Sequence, residues 1–188
     1  MWHASEVARD ERWKPFGLNG ATVWLTGLSG SGKSTIAVAL ERMLIESGRA
    51  AYLLDGDNLR HGLNGDLGFD RPSRDENVRR MAHVARLIAD AGLVAIAPLI
   101  SPYIEGRAFA RRIHEEAGLP FLEVYVRTPI EECERRDPKG LYAKARAGVL
   151  TGFTGVDDPY EEPTVPDVLV EGDRETALAA AARIQNAL

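Results

Sequence analysis

The sequence lacks the features that mark secreted and membrane proteins. It has one cysteine, Cys133, so no disulfide can form within the chain and a disulfide-stabilised secreted scaffold is excluded. We interpret Cys133 as a small buried apolar residue rather than a nucleophile. No run of about eighteen apolar residues occurs, so we expect no transmembrane helix. The first residues are too charged for a secretory signal, and the expected location is cytoplasmic.

An excess of positive charge is also missing. The chain has 23 Lys and Arg against 28 Asp and Glu, which gives a formal net charge of −5. Proteins that coat nucleic acid carry a net basic surface, so we expect no nucleic-acid partner. A small anionic ligand is compatible with this charge, because a local basic cluster can form in an acidic chain.

The length and composition predict one soluble globular domain. The chain has 188 residues, of which 45% are apolar and 27% are charged, and these values are typical of a domain with a substantial core. We predict a single domain over residues 1–188. Within it, residues 1–20 form an N-terminal extension to which we assign no role.

Strand and helix patterns alternate along the chain. The predicted strands cover Ala21–Thr26 and residues 50–54, 93–100, 121–126 and 168–170. The predicted helices cover residues 34–47, 57–63, 104–117, 129–136 and 175–187, and one further helix begins at a Ser73–Glu76 capping box and ends at Gly92. Residues 93–100 are apolar without alternation, which suits a strand covered on both faces. These units predict an α/β fold: a parallel sheet with helices on both faces.

One segment interrupts the alternation. Residues 137–163 contain four glycines and two basic patches, with only a short helical piece around residues 142–147. A long irregular segment inside a compact domain is usually functional, and we interpret this one as a lid. The alternative is a disordered linker.

Residues 27–35, GLSGSGKST, have the Walker A spacing. The glycines let backbone N–H groups point at a β-phosphate, and the helix that follows adds the positive end of its dipole. Lys33 would reach the β- and γ-phosphates, and the Ser34 hydroxyl would bind Mg²⁺. A strand before the loop and a helix after it favour a P-loop NTPase-type sheet, and the absence of an Asn-Lys-x-Asp guanine signature favours ATP. The predicted ATP-binding residues are Gly27, Ser29, Gly30, Ser31, Gly32, Lys33, Ser34 and Thr35.

Two carboxylates, Asp55 and Asp57, follow the second predicted strand. The ends of parallel strands are where α/β sheets bind their ligands. One carboxylate would serve Mg²⁺, and the other would take the proton from an attacking hydroxyl. The structural alternative is a turn, because Asp-Gly-Asp-Asn is also good turn chemistry.

Polar residues elsewhere fall near the same predicted edge. Arg74 and Asn77 share a face of the helix that begins at Ser73, although a solvated helix surface would have the same pattern. Ser101 follows the apolar stretch 93–100, where a hydroxyl suits binding and a helix-initiating turn is equally plausible.

Together these segments resemble the adenylyl-sulfate kinase (APS kinase) family. The phosphate loop is common to many kinases, whereas the DGDN-x-R, ISP and KGLY…GFTG…DDPYE segments are specific in combination. The resemblance is carried by GLSGSGKST at 27–35, DGDNLRHGLN at 55–64, LGF at 67–69, RDENVRR at 74–80, ISPY at 100–103, GLPF at 118–121, RDPKGLYAKARAG at 136–148 and GFTGVDDPYEEP at 152–163.

The resemblance implies phosphoryl transfer from ATP, with Mg²⁺, to the ribose 3′-hydroxyl of adenylyl sulfate. The products would be ADP and 3′-phosphoadenylyl sulfate (PAPS), so the implied role is PAPS biosynthesis in sulfate assimilation. The family also implies a homodimer, and a fusion or complex with sulfate adenylyltransferase stays open. The residues implied to contact the acceptor are Asp57, Asn58, Arg60, Phe69, Arg74, Asn77, Ile100, Ser101, Lys139, Gly152 and Phe153.

The residue types suit that acceptor. A phosphosulfate needs cations, which Arg60, Arg74 and Lys139 supply. Adenine needs flat apolar faces, and Phe69 and Phe153 can sandwich it. Because two of these residues lie in the proposed lid, closure and acceptor binding would be one event that protects the γ-phosphate from water.

The predicted catalytic residues are Lys33, Asp57 and Ser101. Asp57 is the candidate base, and Asp55 is, with Ser34, a candidate metal ligand, but the sequence does not rank the two aspartates firmly. The family carries a proposal that the serine matching Ser101 is transiently phosphorylated. Direct in-line attack needs only positioning and charge stabilisation, and Ser101 belongs to the site in either case.

Two other functions stay open at this point. One is another small-molecule kinase of the same fold, acting on a sugar, shikimate or AMP, which would leave Phe69, Phe153 and Arg74 unexplained. The other is a non-catalytic nucleotide-binding subunit of a sulfate-activating complex, and the presence of Lys33 and Asp57 argues against it.

Overall fold

The computed structural model describes residues 6–188, and residues 1–5 of the predicted N-terminal extension lie outside the described residues. The strands are β1 (Ala21–Thr26), β2 (Ala51–Leu53), β3 (Val94–Pro98), β4 (Phe121–Arg127) and β5 (Val168–Glu171). The helices are α1 (Arg9–Trp13), α2 (Lys33–Glu46), α3 (Gly56–Arg60), α4 (Arg71–Ala91), α5 (Ile104–Glu115), α6 (Ile130–Arg136), α7 (Leu141–Arg146) and α8 (Ala177–Ala187), and a short 3₁₀ helix, Lys14–Phe16, follows α1.

Within the described range, all five strands pair in parallel in the order β2-β3-β1-β4-β5. From β1 the chain crosses through α2 to β2 at one edge, whereas from β3 it crosses through α5 to β4 on the other side of β1. Neighbouring strands whose connections diverge in this way create a crevice at their carboxyl ends, which is where α/β sheets bind ligands. The fold therefore provides a site at the ends of β1 and β3.

Two hydrophobic clusters cover the two faces of the sheet. On one face α2 and α8 pack over Val23 and Leu25 of β1, and on the other face α4 and α5 pack over Trp24. Every residue of β3 is buried, as predicted for a strand covered on both sides. The predicted α/β fold, with a parallel sheet and helices on both faces, is confirmed.

The predicted start of α4 is wrong. The helix begins at Arg71 rather than Ser73, because the Asp70 side chain caps it: Asp70 Oδ1 accepts a hydrogen bond from Ser73 N at 2.9 Å. A proline in the first turn is tolerated there because those N–H groups have no partner within the helix. Glu76 does not complete a capping box at Ser73. It pairs instead with two arginines one turn further along α4.

The helix α1 was not predicted. None of its residues is buried, so it shows no apolar periodicity in the sequence. Polar contacts attach it to the domain: Arg9 Nε donates to Asp90 Oδ1 at 2.9 Å, and Trp13 Nε1 donates to the Asp90 carbonyl at 3.0 Å. Arg9 Nη2 also donates to Ala117 O at 2.8 Å. The second half of the predicted extension is therefore held at the end of α4.

The core contains a fully buried histidine, His114 on α5. Its Nδ1 lies 2.7 Å from the Ala110 carbonyl oxygen, so Nδ1 carries the proton. Its Nε2 lies 2.9 Å from Thr22 Oγ1 and accepts from that hydroxyl. Burial is the main cause that lowers the pKa of His114 from 6.5 to about 4.

Because the pKa of His114 is low, we expect the folded protein to lose stability in mild acid. Below pH 6.5 the imidazole binds a proton in the unfolded chain, but in the folded chain it stays neutral until about pH 4, so the free energy of unfolding falls as the pH drops through this window. The expected contribution is about 2 kcal/mol at pH 5. Urea unfolding of wild type and His114→Gln between pH 7 and pH 4.5 measures it, with exposed His61→Gln as the control. If wild type and His114→Gln lose stability in parallel, the buried imidazole has no such effect.

Candidate active site

A cavity of about 450 Å³ lies at the crevice formed by the ends of β1 and β3. Its wall combines the loop after β1, the residues after β2 and β3, the start of α4 and part of the 137–163 segment. The predicted donor side and the predicted acceptor side therefore share one cavity. The predicted residues in its wall are Ser29, Gly30, Gly32, Lys33, Ser34, Asp55, Asp57, Arg60, Phe69, Arg74, Asn77, Ile100, Ser101, Lys139 and Phe153.

The other predicted residues lie behind this wall or beside it. They are Gly27, Ser31, Thr35, Asn58 and Gly152. Ser31 is buried, and its Oγ accepts from Lys33 Nζ at 3.3 Å. The amide of Asn58 donates to Asp55 Oδ1 at 3.0 Å, and the Gly152 carbonyl accepts from Arg74. These three therefore contact residues of the wall.

The phosphate loop has a backbone that its glycines make possible. Gly27, Gly30 and Gly32 have φ angles of 148°, 76° and 106°, in the region that favours glycine. A Cβ on Gly27 would lie 2.5 Å from the Val126 carbonyl oxygen, so no side chain fits at this position. The loop turns tightly and delivers the chain into α2 at Lys33. Its amides and the start of the helix dipole therefore meet at one end of the cavity.

Lys33 is the cation of this loop. Its ammonium is nearly buried and donates to the carbonyl oxygens of Gly27 at 2.9 Å and Leu28 at 2.6 Å. Burial is the main cause that lowers the pKa of Lys33 to about 8, because a desolvated charge is costly. Neutral carbonyls compensate that cost only in part, so an anion beside Lys33 would stabilise its charge further.

The two aspartates after β2 have different surroundings. Asp55 caps α3, since its Oδ1 accepts from the amides of Asp57 at 2.9 Å and Asn58 at 3.0 Å. Its Oδ2 takes no part in this cap. Asp57 is exposed and forms an ion pair with Lys139 of the 137–163 segment. One carboxylate is thus fixed on the sheet side, and the other bridges the cavity to the proposed lid.

Cations and an aromatic ring lie on the acceptor side. The Arg60 guanidinium stacks over the Phe69 ring at 4.4 Å from its centroid, and Arg60 Nη1 donates to the Leu67 carbonyl at 3.2 Å. The Phe69 side chain is 60% exposed, so one of its faces is open to a ligand. Asn77 Oδ1 accepts from the buried Asn64 Nδ2 at 3.0 Å, which turns the Asn77 amide nitrogen toward other acceptors.

The turn after β3 has an unusual backbone. Ser101 has φ 39°, a conformation that non-glycine residues seldom adopt. Its hydroxyl donates to Thr26 Oγ1 at 3.0 Å and accepts from Trp24 Nε1 at 3.2 Å. Thr26 Oγ1 in turn donates to the Ile100 carbonyl at 2.7 Å. These bonds fix the turn against β1, and the functional role of Ser101 stays a prediction.

The proposed lid packs in a small hydrophobic cluster that it shares with α6. The Phe153 ring meets the Tyr142 ring edge to face, with centroids 4.9 Å apart, and both are buried. The Tyr142 hydroxyl donates to the Ser29 carbonyl of the phosphate loop at 3.0 Å. Cys133 completes the cluster as a buried residue, and burial raises the pKa of its thiol. The interpretation of Cys133 as a buried apolar residue is confirmed.

Known proteins match both the sequence and this architecture. The sequence model of the family described as "Adenylylsulphate kinase" matches residues 19–171. The adenylyl-sulfate kinase of Clostridium acetobutylicum is 53% identical over 176 residues, which are 94% of this chain and 86% of that protein. The chain belongs to the adenylylsulphate kinase family.

Two further relatives place the chain within that family. The bifunctional enzyme CysN/CysC of Mycobacterium tuberculosis is 60% identical over 155 residues, which are 82% of this chain but only 25% of that protein. The structure of the Mycobacterium tuberculosis APS kinase CysC in complex with AMPPNP and APS superposes with a TM-score of 0.87 at 54% identity, over 90% of this chain and 98% of that one.

Some residues of the cavity wall were not predicted. Arg136 at the end of α6 donates to Gly172 O at 2.9 Å and lies 3.3 Å from the Gly30 carbonyl of the phosphate loop. Thr154 accepts from Arg74. Both lie inside segments that carry the family resemblance, 136–148 and 152–163. Their polar side chains in these segments could have indicated a place in the site. The other unpredicted wall residues are Gly56, Val78, Pro98, Leu99, Pro102, Pro138 and Leu141.

Between residues 6 and 188 no helix is long and apolar enough to cross a membrane. In the same part of the chain, no group of three or more His, Cys, Asp or Glu side chains could hold a metal ion.

Proposed function

We propose that this protein transfers the γ-phosphoryl group of ATP to the 3′-hydroxyl of adenylyl sulfate. The products would be ADP and 3′-phosphoadenylyl sulfate, and the role would lie in sulfate assimilation. The observation that carries the proposal is the single cavity in which a Walker A loop faces cations and an exposed aromatic ring. The loop suits a nucleoside triphosphate, and the opposite wall suits a second nucleotide that carries an extended anion.

Lys33 would act at the donor end. Its ammonium is buried among carbonyl oxygens, and phosphate oxygens are stronger acceptors for it than those carbonyls. In the transition state, negative charge is spread over the transferred phosphoryl group, and a fixed cation beside it lowers the barrier. The loop amides would hold the β-phosphate while Lys33 stabilises this charge.

The acceptor end would use stacking and charge together. Phe69 presents an open face at one side of the cavity, and Phe153 lies in its wall on the proposed lid. An adenine between the two rings would orient the ribose toward the phosphate loop. Arg60, Arg74 and Lys139 are the cations available to the phosphosulfate.

The oxygen ligands in the wall fit Mg²⁺. Ser34 and Asp55 both line the cavity beside the loop, and hydroxyl and carboxylate oxygens are the ligands that this ion prefers. Mg²⁺ is commonly bound by one or two protein oxygens together with phosphates, so a cluster of acidic residues is not needed. When bound, the ion would neutralise charge on the phosphates. Asp57 then remains as the base that takes the proton of the 3′-hydroxyl.

The wider setting is also proposed. A match to one quarter of a bifunctional relative supports an association with the enzyme that makes the acceptor, sulfate adenylyltransferase, as a fusion or as a complex. We further propose a homodimer in the cytoplasm, with no membrane and no nucleic-acid partner. The net charge of −5 argues against a nucleic-acid partner.

An ADP-release assay with ATP and Mg²⁺ tests the reaction. We expect turnover with adenylyl sulfate and background rates with AMP, shikimate or a sugar as acceptor. Turnover with one of these and not with adenylyl sulfate would assign the chain to another acceptor. Binding of ATP without turnover of adenylyl sulfate would identify a non-catalytic nucleotide-binding subunit.

A further inference from the structure

The Arg74 guanidinium is almost fully used by contacts within the protein. Its Nε donates to the Phe69 carbonyl at 2.8 Å, and Nη1 donates to Asp158 Oδ2 at 2.8 Å. Nη1 also donates to Thr154 Oγ1, and Nη2 donates to the Gly152 carbonyl. Four of the five N–H groups of the side chain therefore have partners, and one N–H on Nη2 is left for a ligand.

Asp158 is the charged partner in this set, and it is itself held firmly. Both of its carboxylate oxygens accept from the buried Tyr103 hydroxyl, at 3.1 and 2.8 Å. Its carbonyl accepts from Gly155 N at 2.7 Å, and its amide donates to the Phe153 carbonyl at 3.3 Å. Because both the side chain and the backbone of Asp158 are held by these bonds, its position does not depend on Arg74. It sets the position to which the arginine is drawn.

Three elements of the site meet at this aspartate. Arg74 comes from the start of α4, Tyr103 follows the Ile100–Ser101 turn, and Asp158 lies near the end of the 137–163 segment. The Arg74 and Asp158 side chains are only 13% and 21% exposed, so the ion pair is screened little by solvent. A long arginine side chain loses much rotamer entropy when it binds a ligand, unless the protein has already ordered it.

We propose that Asp158 is a positioning residue for acceptor binding: it fixes the Arg74 guanidinium in the cavity wall and joins it to Tyr103 and the 152–158 segment. The inference rests on the proposed function, since it takes adenylyl sulfate as the acceptor. Asp158 acts through Arg74 and stays behind the wall, whereas Arg74 and Phe153 line the cavity. The opposite effect, in which Asp158 competes with the anionic acceptor for Arg74, is the alternative outcome of the test.

A double-mutant cycle separates these effects. Steady-state kinetics with ATP and adenylyl sulfate are measured for wild type, Asp158→Asn, Arg74→Ala and the double variant. Arg74→Ala is expected to raise the KM for adenylyl sulfate by about 10- to 100-fold. Asp158→Asn is expected to raise it about tenfold and to leave the KM for ATP within about twofold, since the asparagine keeps the shape and an acceptor for Tyr103. In the Arg74→Ala background, Asp158→Asn should not raise the KM for adenylyl sulfate any further. A merely structural role of Asp158 would raise this KM in both backgrounds.

Two variants keep the test interpretable. Asp167→Asn removes another aspartate paired with an arginine, Arg111 on α5, and should leave both KM values unchanged. If Asp158→Asn does not fold, Tyr103→Phe takes its place, because it loosens Asp158 without touching Arg74, and a smaller rise of about two- to threefold is expected. Thermal melts of all variants report on folding.

The outcomes are distinct. An equal rise in both backgrounds, an unchanged KM or a lower KM for Asp158→Asn overturns the positioning role while leaving the proposed function intact. No turnover of adenylyl sulfate by the wild-type chain overturns the proposed function itself.

Discussion

Lys33→Ala is expected to lower kcat by about 10²- to 10³-fold, with a smaller change in the KM for ATP. The side chain supplies the buried positive charge of the phosphate loop, and nothing else in the loop can replace it. In the ground state several loop amides share the binding of the phosphates, so the loss of one cation weakens binding only moderately. In the transition state the charge moves onto the transferred group, where that cation matters most.

The measurement is the rate of ADP release at saturating ATP and adenylyl sulfate. Lys144→Ala is a matched control, because Lys144 is an exposed lysine on α7 and its loss changes the net charge by the same amount. A near-normal kcat for Lys33→Ala would contradict the assignment of the loop. A fall in kcat that Lys144→Ala reproduces would point to the overall charge instead.

The sheet and the phosphate loop were predictable because their signals are local. Ala21–Thr26 is a β-rich run directly before a glycine loop, and the strand has these same bounds in the structure. Gly92 ends α4 with φ 105°, as the position of a glycine after an apolar helix predicts. Such features depend on neighbours within one or two turns, so the sequence alone contains most of the information.

The start of α4 shows where local reasoning fails. Both Asp70 and Ser73 are good caps, and the sequence pattern favours Ser73 because Glu76 stands three residues later. The structure uses Asp70, since Glu76 is engaged by arginines on its own helix. The choice between two acceptable caps depends on which side chains pair with Glu76, and the periodicity of the sequence does not predict those pairs.

The site was predicted as a set of residues, but not as a set of contacts. That Arg74 and Lys139 line one cavity follows from the strand order and from the family segments. Their partners do not follow: Arg74 pairs with Asp158, and Lys139 pairs with Asp57, each more than 80 residues away along the chain. Lys33 likewise donates to the carbonyls of Gly27 and Leu28, and the Walker A motif alone does not predict these partners. Long-range pairing of side chains is decided by the folded structure.

Asp57→Asn is the second change with a large expected effect, and it should lower kcat by about 10²- to 10⁴-fold if Asp57 is the base. An asparagine keeps the size of the side chain but cannot take the proton of the 3′-hydroxyl. The substitution also removes the ion pair with Lys139. The Asp57 and Lys139 side chains are 66% and 52% exposed, so this pair adds little stability. The variant should fold normally, and higher Mg²⁺ concentrations should not restore its rate.

Asp55→Asn is the matched comparison, because it changes the neighbouring carboxylate in the same way. Asparagine caps helices as well as aspartate does, so the side chain at position 55 should still accept from the amides of Asp57 and Asn58 at the start of α3. If Asp55 serves Mg²⁺, this variant should need more Mg²⁺ for half-maximal activity and should recover rate as Mg²⁺ is raised. Titrating Mg²⁺ against kcat for both variants therefore ranks the two aspartates. The roles are reversed if Asp57→Asn is the variant that Mg²⁺ rescues and Asp55→Asn the one that it does not.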